Sequence, residues 1–133
     1  MAEIRIQNLQ KRFADFTAVK NSSLLLEDGK FVVLLGPSGC GKTTTLRMVA
    51  GLEFPTSGQI TLDGEDVTFK RPRERDIAMV FQLFALYPHM GVLDNLEFPL
   101  RNEGVPRSEI DRRIKEVASI LRIEHLLDRK SVV

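Results

Sequence analysis

Nine consecutive residues, Gly36-Pro37-Ser38-Gly39-Cys40-Gly41-Lys42-Thr43-Thr44, carry the most legible chemistry in this chain. They fit GxxxxGK[ST], a pattern with physical content. Gly36, Gly39 and Gly41 lack a Cβ and tolerate positive φ, so successive backbone N–H groups can converge on one anion. A helix opening near Lys42 adds its free N-terminal amides and the positive end of its dipole. In that setting the Lys42 ammonium reaches the β- and γ-phosphates of a nucleoside triphosphate and the Thr43 hydroxyl ligates Mg²⁺. Thr44 offers the α-phosphate a further donor, and Pro37, Ser38 and Cys40 complete the loop. The bland alternative is a flexible glycine turn, and the flanking residues argue against it.

Those flanks are an apolar run, Phe31-Val32-Val33-Leu34-Leu35, read as a buried strand, and a helical pattern over Thr44 to Ala50 with Gly51 as a C-cap. Ahead of them, Glu3 to Leu9 alternates with the period of a half-buried strand, and a second extended segment runs from about Thr17 to Leu26 into the Asp28-Gly29 turn. Downstream, Gln59 to Gly64 reads as a short strand closed by an Asp-Gly turn. The charged run Arg71 to Asp76 reads as a solvated loop, and Ile77-Ala78-Met79-Val80-Phe81 as another buried strand. Leu83 to Pro88 is an aromatic-rich loop containing Phe84 and Tyr87. A helix begins near Val92, to be interrupted by Pro99 or Gly104. From Pro106 a helix is expected with Ile110, Ile114, Val117, Ala118 and Leu121 on one face, Pro106 in its first turn.

The chain has 133 residues, a formal net charge of +1 and 43% hydrophobic residues, which suits one ordinary domain. A near-neutral balance without a basic face gives no reason to expect nucleic acid as a partner. No apolar run approaches a membrane span, and no signal segment opens the chain. The single Cys40 cannot form an internal disulfide and fits a reducing compartment. His89 and His125 are too far apart to build a metal cluster with it.

Two more residues join the loop. Phe13 precedes it in Lys11-Arg12-Phe13-Ala14-Asp15-Phe16, where an aromatic face can stack on adenine, with Phe16 as a nearby rival. Gln82 ends the second apolar run, a place from which its amide can meet Mg²⁺ and an attacking water.

With these residues in view, the chain resembles the ATP-binding subunits of ABC transporters, most of all the importers of maltose and related sugars. The resemblance runs from Ile4 to about Lys130, and rests on GPSGCGKTTTLRMVAGLE, TSGQI, ERDIAMVFQLFALYPHM and HLLDRK. It implies an α/β fold, the N-terminal part of a P-loop NTPase. Residues 1–82 would form a nucleotide-binding core, with an antiparallel β subdomain and an incomplete RecA-like part. Residues 83–133 would form the Q-loop region and the start of a helical subdomain. By resemblance Phe13 is the adenine-stacking residue, Gly36 to Thr44 the Walker A loop, and Gln82 the Q-loop residue serving ATP and Mg²⁺.

The same resemblance implies partners: a membrane-spanning permease subunit, whose helix enters a groove lined partly by Leu83 to His89, and a second ATPase subunit facing the first. It implies a cytoplasmic place, peripheral on the inner face of the plasma membrane. Ser131-Val132-Val133 stands where the family continues into LSGGQ, and Walker B, the catalytic glutamate and the switch histidine are not found. The chain as given is therefore expected to bind Mg-ATP without the residues for hydrolysis. Two other readings are a binding-only truncated product and a small P-loop kinase. The kinase would need an arginine-bearing lid, which the segment from Gln82 to Lys130 does not resemble.

Overall fold

The alternating start of the chain forms β1 (Ile4–Phe13), which turns through Ala14 and Asp15 into β2 (Phe16–Leu26). β3 (Ser57–Leu62) pairs with the other edge of β1, and the short β4 (Glu65–Asp66) closes an antiparallel sheet in the order β2-β1-β3-β4. Strict alternation does not survive along β1. Ile6 and Leu9 are both buried although three residues apart, and Asn8 between them takes a left-handed φ of 49° where the register shifts. Asparagine tolerates that conformation, and the bulge re-aims the strand so that Leu9 also faces inward.

The computed structural model describes residues 3–82 and 85–130, which fall into two compact units, Met1–Val80 and Phe81–Val133. In the first unit, helix α1 (Lys42–Val49) buries Met48 completely among Ile6, Leu9, Val19, Ile60, Leu62 and Val67. Gly51, with φ of 72°, follows the last turn of α1, the left-handed position that ends many helices.

Three expectations fail here. Residues 31–35 and 77–81 form no regular secondary structure, and neither pairs with any strand among the described residues. Most of their apolar side chains lie open, Phe31 at 94%, Leu35 at 88% and Val80 at 97% exposure, while Leu34, Ile77 and Met79 are half-buried and Ile77 packs against the core. A buried parallel strand needs ladder partners on its edges and helices on its faces, and neither run has strand partners among the described residues. The third correction concerns Arg75. Its neighbours Arg71 to Glu74 are exposed, but Arg75 is only 3% exposed and belongs to the interior.

The second unit is helical. Helix α2 (Val92–Asn102) runs through Pro99 rather than stopping there, and the chain turns only at Glu103 and Gly104. Packing overrides the proline: Leu96, Pro99 and Leu100 share an apolar groove with Ile114 and Val117 of helix α3 (Arg107–Leu121). Pro106 caps α3 rather than entering its first turn. Ile110, Ile114 and Ala118 are buried as expected, but Val117 and Leu121 are 41% and 57% exposed. The fully buried Glu97 ties the pair together through ion pairs with Arg101 and Arg107. Asn95 staples the preceding loop: its amide nitrogen donates to the carbonyls of Tyr87 (3.2 Å) and Gly91 (2.9 Å), and its oxygen accepts from Tyr87 N–H (2.8 Å). Tyr87 packs against Phe98 with the rings tilted by 56° and their centroids 4.8 Å apart. Leu83 and Phe84 lie outside the described residues.

Candidate functional site

The glycine-rich loop passes from residue 36 to the start of α1 and packs on β2. Gly41 is the pivot, with φ of 93° and its Cα so close to β2 that an added Cβ would lie 2.5 Å from the Ala18 carbonyl oxygen. No residue but glycine meets both conditions. Gly39 also has positive φ, 78°, with open space where a Cβ would point. Pro37, Ser38 and Cys40 are exposed along the loop.

The helix start is uncapped by any side chain and has no acidic residue in its first turn. The first intrahelical bond runs from Thr45 N–H to the Gly41 carbonyl (2.8 Å), reinforced by the Thr45 hydroxyl on the same oxygen (2.9 Å). The N–H groups of Lys42, Thr43 and Thr44 therefore precede the helical ladder and have no intrahelical acceptor. Together with the dipole they form an anion-binding end. The Lys42 ammonium folds back into the loop and donates to the carbonyls of Gly36 and Pro37, both at 2.7 Å, with Cys40 Sγ at 3.5 Å. A cation thus sits beside those amides, where a phosphate would neutralise it.

Next to the loop lies a cleft of about 480 Å³, within the range of small-molecule sites. Gly39, Cys40, Gly41, Lys42 and Thr45 form one wall and Phe16 to Lys20 of β2 another. Phe16, 59% exposed, lines this cleft; Phe13, its partner across the hairpin, does not. Phe13 is 43% exposed, with the Lys11 ammonium 4.7 Å from its ring centre. Gln82 is the second residue of the second unit and is exposed there.

The residues present fit a phosphate chain with its magnesium. The unbonded amides and the lysine supply donors and positive charge, and the exposed Thr43 hydroxyl can ligate a cation held mainly by phosphate oxygens. Among the described residues no group of three or more His, Cys, Asp or Glu side chains is placed to hold a metal by itself. Mg²⁺ binds characteristically in this way, through few protein ligands and the oxygens of its nucleotide.

Two residues with structural weight escaped the sequence reading. Arg75 sits in a run of charges that looks solvated, and the signal against this is weak: it lies two residues before the apolar run that begins at Ile77. Glu97 looks like an ordinary helical surface glutamate, and nothing in its spacing announces burial.

A strand-packed glycine loop, a lysine at the helix start and a following threonine define a phosphate-loop nucleotide-binding protein. Comparison with known proteins narrows that class. Residues 19–132 match the model of the ABC transporter family, and the chain belongs to that family. It is 55% identical over 136 residues to the trehalose/maltose import ATP-binding protein of Thermococcus litoralis, covering 98% of this chain and 37% of that protein. It is likewise 55% identical to an sn-glycerol-3-phosphate import ATP-binding protein of Rhizobium etli (98% and 37% covered). It is 54% identical to the xylose/arabinose import ATP-binding protein of Haloferax volcanii (98% and 34%). The chain thus spans little more than a third of the length of these relatives. Two solved ATP-binding cassettes of ABC transporters, one of them nucleotide-free, superpose with TM-scores of 0.77 and 0.75 at 27% and 26% identity, each covering 98% of this chain and 58% of the other. The fold is accordingly α/β, part of an ABC ATPase cassette. No helix among the described residues is long and apolar enough to cross a membrane.

Proposed function

We propose that residues 36–44 hold the triphosphate of Mg-ATP, and that the chain is the nucleotide-binding part of an import ATPase for sugars or related small solutes. The observation that carries this reading is the start of α1, where three N–H groups outside the helical ladder and the Lys42 ammonium meet beside an open cleft. On binding, the ammonium exchanges the Gly36 and Pro37 carbonyls for phosphate oxygens. The amides of Lys42 to Thr44 follow the α- and β-phosphates, and the Thr43 hydroxyl joins the magnesium. Phe13 is the proposed adenine stack. Phe16 competes for the role because it lines the cleft, and separate alanine substitutions distinguish them: the stacking ring is the one whose loss weakens ATP but spares pyrophosphate.

Gln82 is proposed to serve the magnesium and the attacking water. None of the residues lining the cleft carries a carboxylate, and the chain covers 37% of the length of its trehalose/maltose relative; a general base for that water is proposed to lie in the remaining part of such an ATPase, with a second subunit facing the first. A base of that kind is worth about 10²–10⁴-fold in rate, and these 133 residues alone are expected to bind nucleotide with negligible turnover. The region from residue 83 to His89 is proposed to meet a permease subunit, which would hold the chain on the inner face of the plasma membrane. The sugar importers among the relatives support the solute class. Replacing Lys42 with alanine tests the core of this reading. Binding of a fluorescent ATP analogue should fall at least tenfold with the circular dichroism unchanged, and undiminished binding by the folded variant would refute it.

A further inference from the structure

The two ends of helix α1 are in different surroundings. Its N-terminal end faces the cleft, while its C-terminal carbonyls are held by one buried side chain. Arg75 Nη1 donates to the carbonyls of Met48 (2.7 Å) and Val49 (2.8 Å), Nε to that of Lys70 (2.9 Å) and Nη2 to that of Thr68 (3.1 Å). Two of these oxygens belong to the end of α1 and two to the segment that follows β4. That segment is itself anchored to the sheet, because the Thr68 hydroxyl accepts from Ile60 N–H of β3 at 3.0 Å. The guanidinium therefore bolts the helix to the sheet, and its fixed planar fork suits several carbonyls at once. The socket is built for it. At Gly51 an added Cβ would lie 2.6 Å from Arg75 Nε and 2.9 Å from the Lys70 carbonyl oxygen. Among the described residues no acidic side chain forms an ion pair with Arg75, and its positive charge lies against the negative end of the helix dipole.

We infer that Arg75 is a positioning residue for the phosphate site: by fixing the C-terminal end of α1 it sets where the amides of Lys42 to Thr44 point. The lever is short and stiff. Eight helical residues span about 12 Å, and a helix of two turns transmits a tilt at one end directly to the other. The inference rests on the nucleotide-binding reading, since without a phosphate the alignment of those amides has no consequence.

The test compares the full chain with Arg75→Lys, which keeps the charge but not the fork, and Arg75→Met, which keeps bulk but neither charge nor donors. In the ligand-free, isotope-labelled chain the amide resonances of residues 42–44 should shift in both variants while circular dichroism stays the same. Affinity for Mg-ATP and for Mg-pyrophosphate should fall together, by about tenfold in Arg75→Met, the scale on which outer partners of a bound ion act, and by less in Arg75→Lys. A purely structural arginine would lower the unfolding midpoint and leave these amides and the affinities of the folded protein alone; that result overturns the inference. Should Arg75→Met fail to fold, Arg75→Lys decides by the same criteria. If the parent chain binds no nucleotide, the proposed function fails, while the amide shifts still decide the role of Arg75.

Discussion

The alternating residues 4–9 and the continuous apolar run 31–35 are two stretches of similar length and opposite fate. The first lies in β1, hydrogen-bonded to β2 on one edge and β3 on the other, with Ile6 and Leu9 fully withdrawn from solvent. The second is richer in large apolar side chains, but no described strand pairs with it, and Phe31 and Leu35 remain almost wholly exposed. Hydrophobicity gives a segment a reason to be buried, but it does not supply the partner. A strand needs neighbours for its N–H and C=O groups as much as a core for its side chains. The segment that launches the phosphate loop thus has its chemistry in place at one end and an open apolar face along its length. Such a face invites association.

The contrast predicts a sharp asymmetry in mutational cost. Leu9→Ala empties a fully buried position and should destabilise the first unit by ~2–5 kcal/mol, a large share of an ordinary domain's stability. A urea titration should show the midpoint falling with little change in slope. A cost below about 1 kcal/mol would remove the distinction between the two stretches. The paired change Phe31→Ser with Leu35→Ser should alter stability by no more than ~0.5 kcal/mol per site, as expected away from packed features. Light scattering should meanwhile show less self-association. If the double variant unfolds as readily as Leu9→Ala, the second stretch is buried after all.

How far these features could be read beforehand follows the same division. β1, β2 and β3 were legible because their apolar pattern and their turn residues agree with a local antiparallel sheet. The loop and α1 were legible because spacing and residue type there follow directly from the geometry of holding phosphate. Residues 31–35 and 77–81 misled because a continuous apolar run says nothing about which strands are at hand to pair with it. Arg75 misled for the opposite reason: four carbonyl oxygens converge on it from α1 and the loop after β4, and only the folded backbone brings them together. Of the two interruptions expected for α2, Pro99 and Gly104, the helix runs through Pro99 and ends just before Gly104.

The helical unit offers the mildest comparison, since its outer face is held by exposed ion pairs rather than by a core. Hydrogen bonds from Arg112 and then Arg113 hold the Glu109 carboxyl at about 2, down from its ordinary 4.5. A carboxyl depressed in the folded state stabilises above its unfolded pKa. Its contribution is complete above about pH 4.5 and is lost as the pH falls toward 2. In Glu109→Gln the acid-induced loss of helical signal across that window should be smaller than in the parent chain. The effect will be slight, because exposed pairs contribute little and are screened by salt. An unchanged acid profile would show that the pairs around Glu109 do not stabilise α3.

The central claim is that main-chain donors at the start of α1 grip the phosphates of a nucleotide. Following the backbone amides of the labelled chain through a titration with Mg-ATP tests it most directly. The account predicts saturable shifts concentrated on Gly39 to Thr44, abolished in Lys42→Ala and reproduced in the loop by Mg-pyrophosphate. A folded chain whose loop amides do not move at saturating nucleotide, or in which only residues remote from the loop respond, would contradict it.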